Sequence, residues 1–402
     1  MAAGEVVKLA VVGGGRGRAF VGCAEALAPR LEITAVCDPD EEVRARWREM
    51  VPGIECFAGL TEALQSADCN AVLVSTPMPL HAQHSLEAMR AGKHVLSEVI
   101  ACTTVDEGRE LVSAAQSTGL TYMMAENCCY FRENMIVNEM ARRGLFGRPV
   151  YAECAYIHDC RALGFGGDGE LTWRGVLGRD TDGDWYPTHA LGPVAQWFGI
   201  GRERKDGFDK AWTVASGAFA RPAYAAERFG PDHPAAGGEF WSAGDATTTL
   251  ISTRNGGLIS LHADHASPRP HHPTTRFELR GTEGAFVSPR TSGDDPLVWI
   301  KGRSPGDTTG YDAEWESIWT YAEEFEHPLW RRYAAEAGEA GHGGSDLMTL
   351  AAFVDSVLDG TRPPIDVYDA VTWSSLMPVS VESRARGGAA VEIPEFSPPA
   401  AS

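Results

Sequence analysis

The stretch VVKLAVVGGGRG, residues Val6–Gly17, is an apolar, β-branched run that breaks on a glycine cluster, and the helix-compatible stretch Ala19 to Ala28 follows it. Strand, tight turn and helix in that order are how a Rossmann unit receives a dinucleotide: bare backbone lets a pyrophosphate approach, and the helix N-terminus favours its charge. Gly13, Gly14, Gly15, Arg16 and Gly17 are therefore candidate cofactor-binding residues. As a G-x-G-x-x-G fingerprint the spacing is imperfect. The register from Gly13 meets Arg18 where the third glycine belongs, and the register ending at Gly17 starts at Val12. A second apolar run, Ile33 to Cys37, ends on Asp38, where a carboxylate about 20 residues beyond the glycines accepts hydrogen bonds from an adenosine ribose. Pro39 and Asp40 follow, with no arginine to neutralise a 2′-phosphate, which favours NAD over NADP.

Outward from this unit the alternation continues. Ala71 to Ser75 reads as a strand with turn chemistry at Thr76-Pro77, His81 to Ala91 as a helix and His94 to Leu96 as a strand. Val105 to Ser117 then reads as a helix and Thr121 to Ala125 as one more strand. Alternating strands and helices predict an α/β fold with a doubly wound parallel sheet. After about residue 127 the rhythm changes. A helix over Phe131 to Arg143 leads to a strand over Val150 to Ile157. Strand-like runs at Ala211 to Ala218, Ala246 to Thr253, Gly257 to Ala263 and Thr275 to Arg280 have few helices between them. A C-terminal α/β domain with a large, mostly antiparallel open sheet is expected, with 1–127 as the NAD-binding domain and 128–402 as the substrate domain. The segment Ala334 to Ser345 reads as a surface excursion before a helix over Asp346 to Leu358.

A chain of 402 residues exceeds what one core usually supports, consistent with two domains. The formal charge of −20, from 35 basic and 55 acidic residues, argues against nucleic acid or anionic lipid as partner and leaves a small molecule. No run is long and apolar enough for a membrane span, and the first five residues lack a basic export n-region. Nine cysteines without a Cys-x-x-Cys pair point to reduced thiols in the cytoplasm, and Cys128 and Cys129 read as packing. His262, Asp264 and His265 have a spacing that invites a metal, but strand alternation sends His265 away from the other two, so no metal is expected.

Ser75-Thr76-Pro77 with His81, followed by the run Ala91-Gly92-Lys93-His94-Val95-Leu96-Ser97-Glu98, resembles the Gfo/Idh/MocA oxidoreductase family, whose members carry Glu-Lys-Pro where this chain has Glu98-Val99-Ile100. The resemblance implies that Ser75, Thr76, Pro77, His81 and Glu98 border the cofactor and that the lysine assisting ordinary dehydrogenation is missing. Four further segments resemble the NAD-dependent α-N-acetylgalactosaminidase branch of that family: Glu126-Asn127-Cys128-Cys129-Tyr130, Ala155-Tyr156-Ile157-His158-Asp159, Trp173-Arg174, and Tyr186-Pro187-Thr188-His189. Ser267-Pro268-Arg269-Pro270 and Val367-Tyr368-Asp369 continue the match.

That branch implies a glycoside hydrolase that works by a redox detour, with transient oxidation at C3 of the sugar, elimination at C1, addition of water, and return of the hydride so that NAD is regenerated each turnover. It implies His189, Tyr156, Tyr186 and His158 as catalytic residues, Glu126, Arg174, Arg269 and His271 as substrate contacts, and Asn127 on the cofactor. His189 leads, since an imidazole titrates near neutral pH. The branch has a tyrosine where this chain has His271 and His272, and the Gly- and Asp-rich insert Gly164 to Asp184 is its own. Arg269, His271, His272 and Arg276 could thus form a basic pocket, and a sulfoquinovoside is an alternative substrate. A sugar or cyclitol dehydrogenase, or a sugar- or nucleotide-sensing protein without catalysis, remain the other readings. By family analogy the open sheet predicts a homodimer or tetramer.

Overall fold

The computed structural model describes residues 6–201, 205–306, 311–338 and 341–397. Met1 to Glu5, on which the export reading rests, and Glu339 and Ala340 within the expected excursion lie outside the described residues. The chain divides into two compact units: residues 1–135, 326–375 and 396–402 form one, and 136–325 and 376–395 the other. The first unit therefore recruits a late part of the chain that no single cut would assign to it.

The first unit is built on six strands, β1 (Val7–Val12), β2 (Leu31–Cys37), β3 (Glu55–Phe57), β4 (Ala71–Val74), β5 (His94–Ser97) and β6 (Tyr122–Met124). All pair in parallel, in the order β3-β2-β1-β4-β5-β6. The burial of β1 and β4 is nearly complete along their length, as expected where helices cover both faces of a parallel sheet. Local signals set the helices. Asp40 caps Glu41–Met50 by accepting from Glu42 N, and Thr104 and Glu107 form a capping box at the start of Val105–Thr118, which ends on Gly119 at φ 68°. The stretch read as a surface excursion proves partly structural: Ala334 to Ala337 finish the helix Pro328–Ala337, and Gly344 and Ser345 are buried where the helix Ser345–Asp359 begins.

The second unit has nine strands, β7 (Pro149–Ile157), β8 (Phe208–Ala215), β9 (Ala246–Thr253), β10 (Leu258–Asp264), β11 (Thr275–Gly281), β12 (Gly284–Val287), β13 (Leu297–Ile300), β14 (Glu316–Ser317) and β15 (Val391–Glu392). Their order is β14-β13-β12-β11-β7-β10-β9-β8-β15, and only β7 with β10 is parallel. The apolar helix Pro187–Trp197 packs on β7, β10 and β11. On the other face Trp212, Val214, Leu250 and Leu258 are exposed. The cross-strand pairs Trp212 with Leu250 and Leu258 with Ser252 place these side chains on one side of the pleat. Among the described residues no helix is long and apolar enough to cross a membrane.

Candidate active site

The glycine turn of the first unit sorts into separate jobs. Gly13 has φ 95°, and a Cβ there would stand 2.5 Å from the Ser75 carbonyl oxygen, so this residue is what lets β1 and β4 end side by side. A Cβ on Gly14 would meet the Trp47 indole, which donates its N–H to Gly14 O at 2.9 Å, and one on Gly17 would overlap the Val11 side chain. At Gly15 nothing lies within 4 Å of the Cβ position, leaving bare backbone facing open space. The ribose-side carboxylate is pre-set: Asp38 Oδ2 accepts from Gly14 N and Oδ1 from Asp40 N, both at 2.9 Å. These bonds tie the end of β2 to the turn and leave lone pairs for hydroxyl donors. The open backbone at Gly15 and the acceptor at Asp38 fit a dinucleotide. The structure also brings an arginine that local sequence did not show, since Arg44 donates to the Asp38 carbonyl oxygen and pairs with Glu41.

The other predicted cofactor residues surround this turn as a bonded frame. Ser75 Oγ donates to Gly13 O at 2.8 Å, and Thr76 Oγ1 lies 3.1 Å from His84 Nδ1, with Pro77 leading into the turn that follows. His81 is buried, with Nδ1 2.9 Å from Ile100 O and Nε2 2.8 Å from Thr76 O. Burial pushes its pKa down, and a neutral ring carries one N–H, so it donates to one of these two main-chain carbonyls and only lies against the other. Arg16 donates from Nε to Glu98 Oε1 at 2.8 Å and from Nη2 to Asp346. Asn127 Nδ2 donates to Asp346 Oδ1 at 3.0 Å. Glu126 is fully buried and accepts from Cys128 N at 3.1 Å. Val99, standing where the wider family has lysine, is buried. Burial also pushes the thiols of Cys128 and Cys129 well up.

In the second unit the four expected catalytic residues come together. Tyr156 and His158 leave the end of β7, and Tyr186 and His189 stand at the start of the helix Pro187–Trp197. The Tyr156 hydroxyl lies 2.7 Å from His158 Nδ1. Ring centroids of Tyr156 and His189 are 4.8 Å apart, and Tyr186 stacks on His189 at 6.0 Å with an interplanar angle of 6°. His158 is held neutral, its pKa pushed down to about 4 first by burial and then by His271, His189 and Arg174. A neutral ring whose Nδ1 accepts the Tyr156 proton leaves the phenol oxygen as an acceptor toward a ligand.

The substrate candidates divide. His271 lies 4.8 Å from His158 and 4.3 Å from His272, ring to ring. Arg174 lies over the Trp173 ring at 4.2 Å and lines a small cavity with Cys160, Tyr186 and His265. Arg269 spends one N–H on Ile157 O at 3.0 Å, which anchors its loop to β7. Arg276 has Ala155 as its cross-strand partner, whereas Tyr156 faces Thr275, so the two leave the sheet on opposite sides, yet after burial and Arg290 the charge of Arg269 still reaches Arg276 and lowers its pKa.

His265, weighed in the sequence only as a metal ligand, and Trp185, which local sequence did not single out, complete the cluster. His265 is buried, stacks on Trp185 at 5.4 Å with an interplanar angle of 2°, and meets the rings of Tyr156 and Tyr186 at 5.6 and 6.2 Å. Burial, then Arg221, pushes its pKa down to about 3. A pH profile checks the Tyr156–His158 pair. His158 is neutral above about pH 4 and protonated below it, where Nδ1 can no longer accept the phenol proton. Beyond the fall produced by protonation of the base for the sugar, a further bend in the acid limb of log(kcat/KM) is expected near pH 4, and in Tyr156→Phe that further bend should disappear.

A parallel Rossmann unit with a glycine turn and a ribose-side carboxylate, in one chain with a nine-stranded open-sheet unit, defines the class of NAD-binding Gfo/Idh/MocA oxidoreductase folds. Residues 7–126 match the NAD-binding Rossmann fold of the oxidoreductase family and residues 130–400 the C-terminal domain of glycosyl hydrolase 109. The chain belongs to glycosyl hydrolase family 109. It is similar to a glycosyl hydrolase family 109 protein of Stenotrophomonas maltophilia, 32% identical over 98% of this chain and 90% of that one. It is 30% identical to the α-N-acetylgalactosaminidase of Tannerella forsythia, over 91% of this chain and 81% of the relative. In fold it is similar to levoglucosan dehydrogenase in complex with NADH, with a TM-score of 0.77 at 19% identity, over 98% of this chain and all of the other.

Proposed function

We propose that this enzyme hydrolyses a glycoside with NAD as a recycled cofactor, by transient oxidation at C3 of the sugar, elimination at C1, addition of water and reduction back. The observation that carries the reading is the convergence of Tyr156, His158, Tyr186 and His189 in one cluster of a chain whose family-lysine position is the apolar Val99. Bound at Gly15 and Asp38, NAD supplies the hydride acceptor and later the donor. The chain's own residues move protons. His189 serves as base for the sugar, because its imidazole lies against both tyrosine rings and a histidine can accept and return a proton near neutral pH. Tyr156 accepts a hydrogen bond from a sugar hydroxyl while its own O–H stays directed at the neutral His158 Nδ1, and Tyr186 serves the leaving oxygen. Arg174, Arg269 and His271 hold the sugar. Once C3 is at the ketone level the C2 proton is acidified, so one base of ordinary strength is enough to start elimination.

Incubation of the whole chain with a panel of p-nitrophenyl glycosides, including α-N-acetylgalactosaminide and sulfoquinovoside, with and without NAD, tests this. Nitrophenolate release that depends on NAD, without accumulating NADH, is expected. Stoichiometric NADH from free sugars with no glycoside cleavage would make the protein a dehydrogenase instead.

NAD in preference to NADP rests on Asp38. Asp38→Asn is expected to reduce the preference for NAD on the order of tenfold, because a carboxylate fixed by two backbone N–H groups accepts ribose hydroxyls and repels a phosphate. Titration with both nucleotides checks it, and an unchanged ratio would place the discrimination elsewhere. The exposed apolar strip on β8, β9 and β10 supports association of copies through that sheet face into a dimer or tetramer. The double variant Val214→Glu, Leu250→Glu is expected to elute as a smaller species in light-scattering chromatography.

A further inference from the structure

Asp346 is 1% exposed at the start of the helix Ser345–Asp359, yet three side chains donate to its carboxylate. Arg16 Nη2 approaches Oδ2 at 3.2 Å and Oδ1 at 3.4 Å, Asn127 Nδ2 donates to Oδ1 at 3.0 Å, and His342 Nδ1 lies 2.9 Å from Oδ2. Burial works against the charge, but His342 and Arg16 win, and the carboxyl is held down to about 2. His342 has φ 51°, inside the left-handed region that non-glycine residues avoid, and Gly343 and Gly344 beside it are left-handed too. A Cβ on Gly341 would come within 2.7 Å of Asp346 Oδ2. This segment is thus folded to lay an imidazole on one buried carboxylate. Arg16 belongs to the glycine turn after β1, Glu98 follows β5 and Asn127 follows β6, and ligands of open parallel sheets lie along those carboxyl ends. Asp346 reaches the first and last of these directly and Glu98 through Arg16, whose Nε bonds Glu98.

We propose that Asp346 is a positioning residue for the dinucleotide: by holding the Arg16 guanidinium and the Asn127 carboxamide, it presets the gap between the glycine turn and the ends of β5 and β6 that the nucleotide spans. The proposal rests on the reading that this unit binds NAD. Neutralised by Glu98 and Asp346, Arg16 acts as a rigid spacer in the turn, and the order it imposes is paid before the ligand arrives.

NAD titration of the purified full-length chain by calorimetry tests it, with wild type, Asp346→Asn, Asp346→Glu, Arg16→Gln and the Arg16→Gln, Asp346→Asn double variant, each also melted without nucleotide. Asp346→Asn is expected to weaken NAD binding about tenfold or more, Asp346→Glu by less. In the Arg16→Gln background the added Asp346→Asn change should cost no more than about threefold, because Asp346 acts largely through Arg16. Wild-type affinity in Asp346→Asn, or the full loss repeated in the Arg16→Gln background, would overturn the proposal. A merely structural role would lower the melting temperature without changing the affinity of the folded fraction. Should Asp346→Asn not fold, Asp346→Glu decides, and wild-type affinity there overturns the proposal. A wild type that binds no NAD would overturn the cofactor reading itself, and the proposal with it.

Discussion

Replacement of His189 by asparagine is expected to lower kcat on a cleaved glycoside by about two to four powers of ten, the usual worth of a positioned acid–base group. The ring stacks on Tyr186 and sits 4.8 Å from Tyr156, so asparagine keeps a polar group of moderate size there while removing a titrating base. KM should change far less than kcat, since the loss falls on proton transfer in the transition state and not on holding the ground state. The melting temperature should stay close to wild type, because the residue is only half-buried. Retention of more than about a tenth of wild-type kcat would remove His189 from the proton path. Loss of cleavage together with loss of fold would leave circular dichroism to show the difference.

The second large effect is on the fold. Gly13→Ala places a Cβ 2.5 Å from the Ser75 carbonyl oxygen at a residue with φ 95°. Backbone cannot move aside as a side-chain tip would, so left-handed strain and overpacking add, each on the order of 1–3 kcal/mol. The expected result is a chain that melts well below wild type and has lost measurable NAD binding, because the strain sits where β1 and β4 end. Gly15→Ala is the matched control. Its Cβ meets nothing within 4 Å, so stability should hold while nucleotide affinity falls, through crowding of the open side of the turn. Equal melting losses in the two variants would contradict this division of labour among the glycines.

Much of this was legible from local pattern. The glycine turn, the parallel strands and most of the antiparallel ones are short apolar runs bounded by turn residues, and each is specified by its own neighbours. Tyr156 and His158 sit two residues apart where β7 ends, and Tyr186 and His189 three apart at a helix start, so each pair could be anticipated; only the packing of Pro187–Trp197 on β7 joins them. Asp346 was not legible. It lies 330 residues from Arg16, at the start of a helix that follows a Gly- and Ala-rich stretch, and nothing local marks its carboxylate as buried. His265 was weighed only as a metal ligand, because stacking on Trp185 is a tertiary fact. Arg276 shows a simpler gap: composition says nothing about pleat, and one step in register turns a side chain to the far face. His81 illustrates the reverse case, a motif residue whose buried ring lies between two main-chain carbonyls and so shapes the loops around the turn.

The measurement that bears most directly on the redox detour is hydrolysis in D2O, with the released sugar analysed by mass and proton resonance. Elimination after oxidation breaks the C2–H bond, and the proton restored there comes from an acid–base group in exchange with solvent. The product should therefore carry one non-exchanging deuterium at C2, with no NADH accumulating. A product with hydrogen intact at C2 at full turnover would mean that the glycosidic bond is cleaved without passing through the ketone, and would contradict the account.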